Sequence, residues 1–397
     1  MSGEAGSVQP RRALEGVRVL DFTAVMAGPF ATRLLSDLGA DVVKIEAPEG
    51  DQVRARPPLR NGFSSYFGHL NAGKRSLVLN LKSPEAVELV KELAGKFDIL
   101  VENFRPGVMG RLGLDYETLS KLNPRLIYCS ISGYGQTGPN SQSAAYAPVV
   151  HAASGFDAVM LQYQDGQTTP ATNGIFIADV LAAAHAFGAI QTALYQREKA
   201  GRGQFIDVSL LEAMVGMLVF EVQEAQFPGD FRRPLHAPVK TVDGFVIIAP
   251  ISQRNFEQLC TATGHPEWQQ DERFRTTAAR NANWKTLLAV TESWTANRSA
   301  AEVELIMGEH GVPCSRYRTV AEVICDPHLA ARNAFSEISD GGGRFLVTNP
   351  PFRMSDSSVA AQNGVAALGQ HGTEILQSEL GLDAERINAL RESGALG

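Results

Sequence analysis

Only four of the 397 residues are cysteine, and Cys129, Cys260, Cys314 and Cys325 are too far apart to form a Cys-x-x-Cys pair. That spacing excludes a zinc ribbon and a dithiol redox motif, and it fits a reducing cytoplasm. None of the eight histidines stands in an H-x-x-x-H or H-E-x-x-H pattern, so no metal site is expected. No G-x-S-x-G nucleophile elbow occurs either. Lysine and arginine are outnumbered 36 to 43 by acidic residues, for a net charge of −7. A general nucleic-acid binder needs the opposite balance. No unbroken run of eighteen apolar residues marks a membrane span. The polar first twelve residues lack the apolar core of a signal peptide.

What is present is ordinary globular material: 44% hydrophobic and 20% charged residues, enough chain for two domains. Short apolar runs, Val17–Phe22, Asp41–Glu46, Asp98–Glu102 and Leu126–Ile131, alternate with helical spacing over Phe30–Leu38 and Pro84–Leu93. Strands alternating with helices predict an α/β fold with a doubly wound, mostly parallel, Rossmann-like sheet. A large domain is expected over residues 1–226 and a smaller α+β domain over 227–330. The C-terminal segment, 331–397, is expected to return to the large domain. In the smaller domain a hairpin is expected around Asp243-Gly244, followed by helices near 255–263, 283–294 and 301–310. Ligands of such sheets bind beyond the strand C-termini, which draws attention to the loops 23–29, 47–51, 103–107 and 132–139.

Three features in or near those loops invite a chemical reading. Gly133-Tyr134-Gly135-Gln136-Thr137-Gly138 matches G-x-G-x-x-G after a strand, but Pro139-Asn140 follows where a dinucleotide site opens a helix, so nicotinamide binding is not expected. Arg54, Arg56, Arg60, Lys74 and Arg75, with Lys44 and Arg105, are either solvated surface or the receptor of an anionic ligand. Asp179 sits in Asn173-Gly174-Ile175-Phe176-Ile177-Ala178-Asp179-Val180-Leu181, at the head of a helix that runs to Gly201. A carboxylate among such small apolar neighbours is a first-turn helix acid or a functional group, since an unpaired buried charge is costly.

Together these stretches resemble the class III CoA-transferases. The resemblance is carried by Leu14–Phe22 with Ala27-Gly28-Pro29, Leu38–Glu46, Asn71–Ser76, Val101–Gly107, Ala200–Gln204, Gly311-Val312-Pro313-Cys314 and Asp326-Pro327, from about Leu14 to Leu390. It implies a homodimer of two chains threaded through each other like linked rings. It also implies that Asp179 is a covalent nucleophile, moving CoA between an acyl-CoA thioester and a carboxylic acid through an aspartyl anhydride and an aspartyl-CoA thioester. Coenzyme A is then a substrate, with neither metal nor nicotinamide required, and the partners are acyl-CoA and a carboxylic acid rather than nucleic acid or membrane.

The family pattern places CoA against the Val25 and Met26 backbone, Asn103, Phe104, Arg105 and Arg111, with Lys44, Lys74 and Arg75 near its phosphates. Arg54 and Tyr146 are expected to bind the substrate acid, and Arg54, Arg56 and Arg60 suggest a small dicarboxylate. Ala47 and Met26 replace a basic residue and a glutamine of the formyl-CoA transferases, which argues against oxalate or formate. The racemases of the same superfamily pair the aspartate with a histidine. Tyr146 occupies that position, favouring transfer over an α-methylacyl-CoA racemase or epimerase. A non-catalytic CoA-binding protein is the remaining alternative, and the intact Asp179 argues against it.

Overall fold

A computed structural model describes residues 12–229 and 233–397. The chain forms two compact units, one comprising the sequence up to Val222 together with Ala330–Gly397, the other Gln223–Leu329.

The larger unit is built on six parallel strands: β1 (Arg18–Asp21), β2 (Asp41–Glu46), β3 (Arg75–Val78), β4 (Ile99–Glu102), β5 (Ile127–Ser132) and β6 (Phe205–Ser209). Their spatial order is β3-β2-β1-β4-β5-β6, with Val19 opposite both Val42 and Ile99. Val42, Val43, Ile99, Leu100 and Val101 are all buried, because helices cover both faces of the sheet. The chain winds outward from β1 to β3, then crosses back to start the other half at β4. Loops leaving β1 and β4 therefore part in opposite directions and open a crevice at the strand C-termini.

Four helices position the site: α1 (Ala27–Asp37), α2 (Ser65–Asn71), α3 (Ala147–Ala153) and α4 (Ile177–Ala200). Helix α1 starts three residues before the predicted Phe30 and takes in Gly28 and Pro29. Proline fits there because first-turn amides have no intrahelical acceptor to lose. A Cβ on Gly28 would stand 2.3 Å from the Thr23 side chain, so only glycine lets α1 begin this close to the end of β1. Leu35 of α1 and Ala182, Ala186 and Ile190 of α4 share one core with Val19, Val101 and Ile131, while Leu20, Leu93, Leu100, Ile375 and Leu390 fill the opposite face. By length and composition α4 could cross a membrane, a property hidden from a search for unbroken apolar runs. Seven of its residues, including Ala182, Ala183, Ala186 and Ile190, are buried in the core.

Two helices follow β6, Leu210–Met217 and Val219–Gln226, broken at Leu218. The helices Ser65–Asn71, Phe156–Gln162 and Ala384–Glu392 were not foreseen. After the G-x-G-x-x-G stretch no helix begins until Ala147, as the proline there implied. The smaller unit has a three-stranded antiparallel sheet, with Phe245–Ile248 between Val239–Lys240 and Cys314–Arg316. Helices Gln253–Thr263, Trp284–Thr295 and Ala300–Glu309 enclose its core of Phe256, Phe274, Leu287 and Met307.

Candidate active site

Asp179 is the third residue of α4, half-buried where α4 packs along α1. Burial raises its pKa to about 6, although the amides of Ala27 and of Asp179 itself point donors at the carboxylate and oppose the rise. Those amides belong to the first turns of two helices, whose ends favour negative charge. The result is a carboxylate ionised at neutral pH yet poorly solvated, which suits a nucleophile.

The loop that presents Ala27 is held from both sides of the crevice. Asn103, just beyond β4, grips Ala24 twice: its Oδ1 accepts the Ala24 N–H at 2.9 Å and its Nδ2 donates to the Ala24 carbonyl at 2.8 Å. Val25 adopts φ 70°, a left-handed conformation costly for a β-branched residue. Its N–H points at the Asp51 carboxylate, 3.3 Å away. Asp51 also accepts the Val53 N–H at 3.0 Å and pairs with Lys44 at 3.3 Å. A strained bend is thus fixed between β1 and the first turn of α1.

A cleft of about 430 Å³ lies over the C-terminal ends of β1 to β4. Phe22, Ala24, Ile45, Pro48, Leu79 and Phe104 give it apolar walls, and Lys82 stands at its edge. Lys82, Arg105 and Arg111 are exposed and carry no ion pair among the described residues. Ala24 lines the cleft and Ala27 faces Asp179, so about 11 Å of chain at most separates the two.

The three basic residues expected near the CoA phosphates, Lys44, Lys74 and Arg75, are all engaged by other groups of the chain. Lys44 is buried in β2, where its ammonium donates to the Thr23 carbonyl at 2.6 Å and pairs with Asp51. Lys74 is buried, donating to Asp21, the Pro29 carbonyl and Asn71, each at 2.9 Å. Arg75 begins β3, at the N-terminal edge of the sheet, and bonds Asp41 at 2.9 Å. Parallel strands place their ligand clefts at the other edge. Lys74 and Arg75 hold the fold away from the cleft, whereas Lys44 is buried and paired yet forms part of the cleft lining. Asn103 and Phe104 stand at the crevice, Val25 and Met26 form the bend beside it, and Arg105 and Arg111 lie within residues 104–112, of which Phe104, Val108 and Leu112 line the cleft.

The arginines read as a dicarboxylate receptor also separate. Arg54 is consumed by Glu46, with bonds of 2.8 and 2.7 Å, by the Ala366 carbonyl and by the Phe67 ring, 4.0 Å beneath it. It is a structural strut, not a free substrate ligand. Arg60 pairs with Asp340 at 2.8 Å and stacks over Phe345. Arg56 is exposed and bonds only the neutral Gln52 side chain, at 3.2 Å, among the described residues. It acts electrostatically on Tyr66, half-buried in the first turn of α2. Burial raises the Tyr66 pKa, and Asp179 raises it further while Arg56 opposes the rise. Tyr66 therefore lies within electrostatic reach of both Asp179 and the Arg56 guanidinium, and its hydroxyl has no hydrogen-bond partner among the described residues. Tyr146, the other residue expected at the substrate, precedes α3 and is 68% exposed.

Sequence reasoning missed Tyr66, Asp51, Glu102 and His151. Glu102 ends β4, accepts the Phe104 N–H at 2.7 Å and takes a close hydrogen bond from Ser130. Burial pushes its pKa up to about 7. His151 is buried in α3, and its Nε2 accepts the Ala178 N–H at 3.2 Å. A signal existed for Asp51: an acid after a proline-glycine turn is a frequent helix cap.

Comparison with known proteins bears on this arrangement. The family model of CoA-transferase family III matches residues 14–372. Mouse succinyl-CoA:glutarate CoA-transferase is 35% identical, the match covering 97% of this chain and 90% of the relative. Succinyl-CoA--D-citramalate CoA-transferase of Chloroflexus aurantiacus is also 35% identical, over 97% of this chain and 98% of the relative. Formyl-CoA:oxalate CoA-transferase of Streptomyces coelicolor is 33% identical over 97% and 99%. Among solved structures, a CAIB/BAIF family protein from Brucella suis superposes with a TM-score of 0.82 at 33% identity, over 93% of this chain and 100% of that one. The chain belongs to CoA-transferase family III, and the protein is a class III CoA-transferase with coenzyme A as a substrate.

Proposed function

We propose that the protein exchanges CoA between small dicarboxylic acids through covalent intermediates on Asp179. The observation that carries this reading is the Asp179 carboxylate itself, half-buried, faced by two amides, and one short loop away from an apolar cleft. The cleft suits the adenine end of CoA, with Lys82, Arg105 and Arg111 available for its phosphates. The narrow end of CoA then follows the Ala24–Ala27 loop toward Asp179.

In the first step an Asp179 oxygen attacks the thioester carbonyl. The C–S bond breaks, CoA leaves as thiolate, and an aspartyl anhydride remains. The thiolate then attacks the aspartyl carbonyl of the anhydride, the product acid departs as carboxylate, and an aspartyl-CoA thioester forms. The acceptor carboxylate attacks that thioester and again expels thiolate, which takes the acyl group from the second anhydride and frees Asp179. The Ala27 and Asp179 amides stabilise the carboxylate that each half-cycle regenerates.

Arg56 and Tyr66 take over the role the sequence suggested for Arg54. A guanidinium without a carboxylate partner and an unbonded phenol that feels both it and Asp179 suit the distal carboxylate of a dicarboxylate. The relatives that act on glutarate and citramalate point the same way. Arg56→Gln is expected to raise KM for dicarboxylates about tenfold or more and leave that for a monocarboxylate little changed. Equal effects on both acids would remove Arg56 from recognition.

The homodimer expected from the family is supported by apolar surface that a lone chain leaves in water. Helix α4 is apolar enough in composition to need extensive cover, and only seven of its 24 residues are buried. Yet Val180 and Tyr195 are exposed on it, and Ile175, Met217 and Val219 are exposed nearby in the chain. Sedimentation equilibrium at micromolar concentration is expected to give twice the 42.8 kDa chain mass.

Trapping tests the chemistry. Incubation with succinyl-CoA and hydroxylamine is expected to leave a hydroxamate on Asp179, seen by peptide mass spectrometry. No adduct, with α-proton exchange from deuterated solvent instead, would establish the racemase reading. Turnover is further expected to have an acid limb near pH 6, because a protonated Asp179 cannot attack. A kcat profile flat down to pH 4.5 would contradict this.

A further inference from the structure

We infer that His151 is a positioning residue for Asp179, acting as a neutral hydrogen-bond acceptor on the helix that carries it. The inference rests on the reading of Asp179 as nucleophile and concerns how that carboxylate is aimed.

The amides of α4's first turn can each be followed. The Ile177 N–H donates to the Ile175 carbonyl at 3.0 Å, and the Val180 N–H to the Phe176 carbonyl at 3.2 Å. The Asp179 N–H faces its own carboxylate. Ala178 remains, and the residue at the cap position, Phe176, has no side-chain acceptor to give it. A helix start commonly meets this need with Ser, Thr, Asp or Asn at the cap. Here the acceptor comes from 27 residues upstream: His151 Nε2, 3.2 Å from the Ala178 nitrogen. Ala178 is fully buried, so without His151 its N–H would have neither water nor protein to bond.

The ring is suited to that task. His151 is 1% exposed, with the Phe156 ring 5.7 Å from its own. Burial lowers its pKa, with Asp157 opposing, which keeps the imidazole neutral and Nε2 free to accept. Accepting through Nε2 fixes the proton on Nδ1. Ala178 directly precedes Asp179, so its amide sets where the carboxylate leaves the helix. An apolar side chain at 151 would free the Ala178 amide to compete for the Asp179 carboxylate or to unwind the turn. Either way the carboxylate shifts from the line of attack, and small misplacements of reacting groups cost roughly 100-fold in rate.

Two variants and one spectrum test this. His151→Leu keeps volume without an acceptor, and is expected to lower kcat roughly 100-fold with little change in KM for acyl-CoA. His151→Gln offers an oxygen at similar reach and is expected to recover most of kcat. In the unaltered protein, nitrogen NMR of labelled histidine is expected to show one buried neutral ring protonated at Nδ1, its signal lost in His151→Gln. That reading depends neither on Asp179 being the nucleophile nor on the leucine variant folding. A ring protonated at Nε2, a leucine variant with full kcat, or a glutamine variant as impaired as leucine would each overturn the inference. Failure of the nucleophile reading shows separately, as retained turnover in Asp179→Asn.

Discussion

Asp179→Asn is expected to lower CoA exchange by at least about 10⁴-fold while CoA binding and the proposed dimer persist. Removing a covalent nucleophile closes the only route through an anhydride, and losses of this order follow deletion of such groups elsewhere. An amide has almost the same shape and leaves the Ala27 and Asp179 N–H groups a carbonyl oxygen to bond, so the chemistry changes while the packing does not. Radiolabelled succinate exchanging into succinyl-CoA measures the loss, and isothermal titration with CoA measures what is kept. Turnover within tenfold of the unaltered protein would remove Asp179 from the covalent role.

The same substitution is expected to stabilise the protein. The folded pKa of about 6 lies above the ordinary value of 3.8. Between those values the unfolded chain has released its proton while the folded one keeps it; above pH 6 both are ionised and the folded state bears the burial cost. The Asp179 contribution to stability is therefore most favourable below about pH 4, declines through pH 6 and is flat beyond. Partial exposure reduces the penalty to about 1–3 kcal/mol at pH 7. The asparagine variant should recover that amount, visible as a Tm higher by a few degrees. An inactive yet more stable variant is what a site kept tense for function gives.

How much of this was legible beforehand depended on how local each cause is. Asp41–Glu46 was readable as a strand because its apolar run and bounding turns lie within the segment itself, and the observed bounds agree. The same run carried an overlooked signal. A lysine inside Asp-Val-Val-Lys-Ile-Glu, in a strand covered on both faces, must be buried and paired, so the ion pair of Lys44 was legible by physics alone. Arg75 was legible too, since it opens its strand and ligands gather where strands end. The fate of Arg54 was not, because one of its acceptors, the Ala366 carbonyl, comes from 312 residues away. His151 was invisible for the same reason: nothing near it in sequence indicates which amide its ring will meet. Sequence reasoning singled out Asp179 from its own neighbours; the groups proposed to aim it come from distant parts of the chain.

Lys74→Met is expected to destabilise the protein by about 3–5 kcal/mol, the usual cost of stripping one partner from a buried ion pair. Asp21 is fully buried at the end of β1 and accepts from the Thr23 amide and hydroxyl, from Thr32 at 2.8 Å and from Lys74 at 2.9 Å. The three ammonium protons of Lys74 are matched by three acceptors, Asp21, Pro29 and Asn71. Burial alone would raise the Asp21 pKa, but Lys74 and Lys44 with the Thr23 hydroxyl outweigh it and hold the group at about 2. That value is below the unfolded 3.8, so Asp21 contributes about 2 kcal/mol above pH 4, lost as pH falls toward 2. Methionine fills the volume but leaves the carboxylate facing apolar neighbours. The folded state should then hold a proton on Asp21 where the unfolded state does not, reversing the trend, so that the variant gains stability as pH falls from 7 toward 5. Urea unfolding at pH 5 and pH 8 separates the cases. A loss under 1 kcal/mol, or an unchanged pH trend, would show that the pair does not hold this junction. Asp21→Asn combined with Lys74→Met is expected to recover part of the loss, since no charge is then left unpaired. Because Lys74 also holds the Pro29 carbonyl in the first turn of α1, the single variant should shift the Ala27 amide away from Asp179 and lower kcat even where the protein remains folded.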